Sequence, residues 1–226
     1  MITSTAEIIL FLDFDGVLHH EDVFIHPING ILKGIYIMQS GRTLFEWMPI
    51  LENLLKPYPD VAIVLSTSWV HSRSFSFAKT QLSESLQQRV IGATFDNRLM
   101  HEEDFLVQSR GLQIANDVER RKTNQWIALD DDDEGWPDWC LSNLIKTKGD
   151  TGLSDPRVRV ELRKRLEQLH ASSNLSPLKQ SCGEWFGSHI FFREKHHKLI
   201  ERMVRFFQIV LVLQIIAIAV ACLYFW

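Results

Sequence analysis

Apolar residues along this chain fall into short unbroken runs separated by stretches of helical spacing. Residues 8–12 (IILFL) are β-branched, leucine-rich and aromatic throughout, which predicts a strand buried on both faces, as in a parallel sheet. Residues 61–65 (VAIVL), 90–91 with their neighbours, and 126–129 (WIAL) predict three more strands; residues 143–146 suggest a weaker fifth. Between them, residues 43–56 carry Leu44, Trp47, Met48, Leu51 and Leu55 at helical intervals, closed by Pro57. Residues 74–88 and 109–121 are further predicted helices with less regular apolar faces. Ser154-Asp155-Pro156 is a helix start, after which Val158, Leu162, Leu166 and Leu169 mark one stripe. Strands alternating with helices predict an α/β fold built on a parallel sheet.

Composition adds to this picture mainly when charge is divided along the chain. A hydrophobic fraction of 46% and a charged fraction of 23% exclude wholesale disorder. Three separated cysteines, with no CxxC pair, argue against a disulfide framework and a zinc ribbon. Residues 1–155 hold 13 Lys and Arg against 23 Asp and Glu, whereas residues 156–205 hold 11 against 5. Residues 206–226 (FFQIVLVLQIIAIAVACLYFW) carry no charge, no proline and no glycine. At the helical rise such a run spans about 31 Å, the thickness of a hydrocarbon core. The expected organisation is therefore a body over residues 1–170, a linker over 171–190, a basic neck over 191–205 and a single-pass transmembrane tail over 206–226. The basic flank places the body on the cytoplasmic side of the cell membrane. The N-terminus lacks a basic region and a long apolar run, so no targeting signal is expected there.

The sharpest chemical pattern follows the first strand: Leu12-Asp13-Phe14-Asp15-Gly16-Val17-Leu18. In open α/β sheets ligands bind at the carboxyl ends of strands. On an extended backbone Asp13 and Asp15 share a side, and paired carboxylates favour a hard cation such as Mg²⁺. The second strand ends in Ser66-Thr67-Ser68-Trp69, a cluster of hydroxyls, and the fourth in Asp130-Asp131-Asp132-Asp133-Glu134. Each alone has a plain structural explanation, as a turn, a helix cap or a solvated loop. Together they place two acidic clusters and a hydroxyl cluster along one predicted sheet edge.

DFDGVL, VLSTSW and ALDDD resemble the first, second and fourth motifs of the haloacid dehalogenase (HAD) superfamily of phosphohydrolases. More narrowly, PYPDVAIVLSTSW, RVIGAT and WIALDDDDEGW resemble the HAD domains of Swiss Army Knife RNA repair proteins, over roughly residues 7–170. The resemblance implies a Rossmann-like parallel sheet with flanking helices and an aspartyl-phosphate mechanism. Asp13 would be the nucleophile, Asp15 would protonate the leaving oxygen and activate water, and Ser66 would bind the transferring phosphoryl group. Asp13, Asp15, Asp130 and Asp131 would hold Mg²⁺, with the direct ligand among the last two left open. The third motif departs from the usual lysine. Arg110 takes that role by its place at the start of a helix, with Arg120, Arg121 and Lys122 as competitors at the far end, where solvated charges are the plain explanation.

The intervals leave about 25 residues for an insertion between Asp15 and Ser66, enough for a hairpin flap over residues 30–41 but not a cap domain. A capless or small-flap site is open to large or exposed phosphate esters. The expected activity is a membrane-tethered, Mg²⁺-dependent phosphatase acting on a phosphorylated substrate. The alternatives are a nucleic-acid-end or nucleotide phosphatase, and a catalytically weak phosphate-binding module on the membrane. The acidic body argues against tight nucleic-acid binding. His19 and His20 are expected on the flap surface, and Trp136 and Trp139 as packing anchors.

Overall fold

The computed structural model describes residues 8–28 and 31–174. β1 (Ile8–Leu12) leads through a loop into a hairpin of β2 (Val23–Ile28) and β3 (Ile31–Ile37). α1 (Met48–Leu55) and β4 (Val61–Leu65) follow, then the short helices α2 (Ser68–Ser72), α3 (Phe75–Thr80) and α4 (Glu84–Gln87). β5 (Val90–Ala93), α5 (Glu102–Leu106), α6 (Arg110–Arg121) and β6 (Trp126–Asp130) come next. α7 (Asp138–Leu141), β7 (Leu144–Lys146) and α8 (Pro156–Asn174) complete the described chain.

The main sheet has the order β5-β4-β1-β6-β7, and each neighbouring pair is parallel. All five residues of β1 are buried, because helices cover both faces. Ile8, Leu10 and Leu12 join the larger core cluster with Leu51 and Leu55 of α1 and Val158, Leu162 and Leu166 of α8. Ile9 and Phe11 point the other way, into a cluster with Val64, Ala128 and Ile114, Ala115 and Val118 of α6. The period of two along β1 thus separates the two cores.

Several elements differ from the sequence expectation for identifiable reasons. The helix expected over 43–56 begins at Met48, where Pro49 fits the first turn. The segment 74–88 is two helices, α3 and α4, the second started by Ser83, whose hydroxyl accepts from Leu86 N–H. The flap hairpin starts at Val23 rather than residue 30. Its first strand contains Pro27, which an isolated ribbon tolerates next to a register shift. α8 runs to Asn174, into the expected linker. Among the described residues no helix is long and apolar enough to cross a membrane. The rest of the linker, the neck and the predicted tail lie outside the described residues.

Candidate active site

Where the parallel strands end, each contributes a polar residue to one row. Thr94 N–H bonds Leu65 O, Ser66 N–H bonds Leu12 O, Asp13 N–H bonds Leu129 O and Thr147 N–H bonds Asp130 O, at 2.8–3.1 Å. The sheet hydrogen bonding therefore continues one step beyond the apolar strands and sets Thr94, Ser66, Asp13, Asp130 and Thr147 side by side. All five are buried. Buried polar side chains are normally paired, yet Ser66 Oγ, Asp13 Oδ1 and Asp130 Oδ2 have no hydrogen-bond partner among the described residues. Oxygens without a hydrogen bond on adjacent strand ends, of which only Asp130 Oδ2 has an ion-pair partner, the Arg110 guanidinium, mark a ligand site.

Carboxylate oxygens of Asp13, Asp130 and Asp131 lie within 4.8 Å of one another. Burial pushes the Asp13 carboxyl up to about 7; Arg110 opposes the shift, while Asp15 and Asp131 add to it. Asp130 is also raised, by burial and then by Asp13, and Asp131 is raised chiefly by burial. Three carboxylates against one arginine leave an excess negative charge that a divalent cation would offset. The oxygen-only donors and the two orphaned carboxylate oxygens fit a hard ion such as Mg²⁺.

Gly16 makes room for Asp131. Its φ of +66° allows the chain to turn, and a Cβ there would stand 2.3 Å from Asp131 Oδ2. Thr147 Oγ1 donates to Gly16 O at 2.7 Å and ties this turn to the end of β7.

Among the described residues, Arg110 is the cation paired with these carboxylates. Its Nη2 lies 3.9 Å from Asp13 Oδ2 and its Nε 3.5 Å from Asp130 Oδ2. Burial disfavours its charge, but Asp13 and Asp130 outweigh that and raise its pKa. A cation in the first turn of α6 works against the helix dipole, so its position there is set by these carboxylates. The helix start itself is fixed: Ser109 caps it and donates to Gly135 O, and Gly111 packs against Trp136 with no room for a side chain. Arg120 and Arg121 instead both pair with the fully buried Asp117 on the same helix. They are structural partners, not the solvated charges expected from sequence.

The predicted site residues therefore come together, except that Asp15 stands outside the carboxylate group. Expected as a metal ligand as well as an acid, it instead accepts from Trp69 Nε1 at 3.1 and 3.0 Å and lies 3.0 Å from His19 Nε2. His19 and His20 are buried rather than on the flap surface; His20 Nδ1 accepts from Asp22 N–H. Sequence reasoning missed Thr94, Thr147 and the contacts of Trp69. The polar residue one place past each apolar run was the available signal. Trp136 packs as expected, donating to Asp132 O, whereas Trp139 is partly exposed.

Residues 9–158 match a family model described as the HAD domain in Swiss Army Knife RNA repair proteins. No curated protein and no solved structure matches the chain. Apart from Ile8, the first residue of β1, the matched span takes in every strand of the main sheet and the polar residue at the end of each, and it is more than half of the 226 residues. The chain belongs to this family of HAD domains.

Proposed function

We propose that this protein is a Mg²⁺-dependent phosphate-ester hydrolase that works through an aspartyl-phosphate at Asp13. The observation that carries the reading is the row of buried, partly orphaned oxygens at Ser66, Asp13 and Asp130, with Arg110 beside them. Asp13, Asp130 and Asp131 would hold the metal, with Asp15 in another role. When bound, Mg²⁺ neutralises charge on the phosphoryl group and makes phosphorus more electrophilic.

The protein groups supply the rest. An Asp13 oxygen attacks phosphorus, the bond from phosphorus to the leaving oxygen breaks, and Asp15 gives that oxygen a proton. Water then attacks the phosphorus of the aspartyl-phosphate and loses a proton to Asp15. The bond to Asp13 breaks, releasing inorganic phosphate and restoring the carboxylate. Ser66 Oγ donates to a phosphoryl oxygen, and the Arg110 fork neutralises charge on nucleophile and phosphate together.

The substrate presents a phosphate ester to an open edge. The excess of acidic residues over 1–155 favours engagement through that phosphate rather than along a nucleic-acid backbone. We place the domain at the cytoplasmic face of the cell membrane, held by residues 206–226.

A panel of phosphate esters offered to the full-length chain in mild detergent tests the reading. Turnover should need Mg²⁺, stop on chelation and resume when the ion is restored. Asp13→Asn, nearly isosteric, should abolish turnover and leave the circular dichroism spectrum unchanged. Activity retained in that variant removes the mechanism.

A further inference from the structure

Two donors from separate parts of the chain hold the Asp15 carboxylate. The Trp69 indole N–H, from α2, reaches both oxygens, and His19 Nε2, from the loop after β1, reaches Oδ1. His19 is fully buried, and its Nδ1 has no partner among the described residues. A buried N–H without an acceptor is costlier than a bare lone pair, so the ring proton belongs on Nε2 and His19 is a donor to Asp15.

The donors are themselves fixed by packing. The Trp69 ring lies 5.7 Å from Phe14 and 5.5 Å from Phe45, and the His19 ring 4.7 Å from Phe45. Phe45 has φ of +59°, a left-handed conformation that bulky residues rarely adopt. The fold accepts that strain where one aromatic ring packs against both donors. The Asp15 side chain remains 27% exposed, whereas that of Asp13 is 6% exposed, so a rigid seat presents Asp15 to the open side.

We propose that Trp69 and His19 are positioning residues that aim Asp15 at the oxygen leaving phosphorus and keep it out of the three-carboxylate group. The proposal rests on the hydrolase reading above. Two residues from Asp13, an unrestrained carboxylate would be drawn toward the cation site. It would then be unavailable to pass its proton, carried on Oδ2, the oxygen that His19 does not reach, to the leaving oxygen as the phosphorus–oxygen bond breaks. A poor leaving group such as an alkoxide needs that proton, whereas 4-nitrophenolate departs without it.

The test compares kcat/KM for glycerol phosphate and 4-nitrophenyl phosphate, which reports the step up to phospho-enzyme formation. The full-length chain is used in detergent with Mg²⁺, as wild type and as Trp69→Phe, His19→Leu and His19→Gln. Trp69→Phe and His19→Leu should lose at least tenfold more on the alkyl ester than on the aryl ester. His19→Gln, whose amide nitrogen donates from about the same place, should recover most of the alkyl activity. Equal losses on both esters, or no recovery with Gln, overturn the proposal. Wild type inactive on both esters counts against the hydrolase reading instead. The seating of Asp15 is then tested by itself through the ¹⁵N-indole NMR signal of Trp69, identified by its loss in Trp69→Phe. That signal should move in Asp15→Asn; if it stays in place, the contact is not made and the proposal fails.

Discussion

Carboxylates crowd together only when something removes the space or the charge that would let them separate, and here single residues do both. Gly16 has no side chain where Asp131 must lie, and its φ of +66° is one that other residues reach only with strain. Gly16→Ala should push Asp131 aside and raise the Mg²⁺ concentration for half-maximal activity about tenfold or more. A Mg²⁺ titration of initial rates checks this; an unchanged midpoint would mean that Asp131 is not a ligand. Arg110 and Arg121 separate chemistry from stability in the same way. Arg110 faces Asp13 and Asp130, so Arg110→Ala should lower kcat/KM by about 10²–10³, the size typical for a lost donor to developing charge. Arg121 shares the buried Asp117 with Arg120. Arg121→Ala should leave that carboxylate underpaired and lower Tm while changing kcat/KM far less. Parallel thermal melts and rate measurements distinguish the two; the reverse pattern would move the third motif to the far end of α6.

Elements show where sequence was legible and where it was not. β1, β4 and β6 read clearly because burial on both faces leaves an unbroken apolar run, and their shared edge followed from the acidic and hydroxyl residues just beyond them. The Trp69 contact with Asp15 was hidden because it joins positions 54 residues apart, and the His19 contact, only four residues away, because the HH pattern does not predict which way a ring will point. α2 escaped because five residues are too few to show a period. The start of α8, by contrast, was written in Ser154-Asp155-Pro156, and its cap gives a sign-definite prediction. The Asp155 carboxylate accepts from Arg157 N–H and from its guanidinium, which holds its pKa down at about 2 against an ordinary 3.8. A depressed folded pKa stabilises above the unfolded value and loses that stabilisation as pH falls through the folded one. The Tm difference between wild type and Asp155→Asn should therefore be full above about pH 4 and close on acidification toward pH 2. Added salt should shrink it, since the pair is solvent-screened. A difference constant over that range would show that the side-chain hydrogen bond, and not the charge, makes the cap.

At the scale of the whole chain, charge and hydropathy are segregated in a way the hydrolase reading does not need. A phosphatase that met its substrate in bulk solution would have no use for 21 uncharged residues after a basic stretch. The acidic excess of residues 1–155 would be repelled by anionic lipids, whereas the neck over 191–205, with five Lys and Arg against two Glu, would be attracted to them. If the proposed tail holds the chain at a membrane, tethering would favour phosphate esters that are themselves near it, by raising their local concentration rather than by new contacts. The tail reading makes a direct prediction. The full-length chain expressed in cells should stay with the membrane fraction through high-salt and carbonate washes, which strip electrostatically bound proteins. Replacing Leu213 and Ala217 by arginine places two charges near the middle of the run, at about 2.5–3.5 kcal/mol each for insertion. The doubly substituted chain should pass into the carbonate supernatant. Wild type released by salt alone would leave the basic neck as the whole of the membrane interaction, and wild type recovered soluble without detergent would remove the anchor.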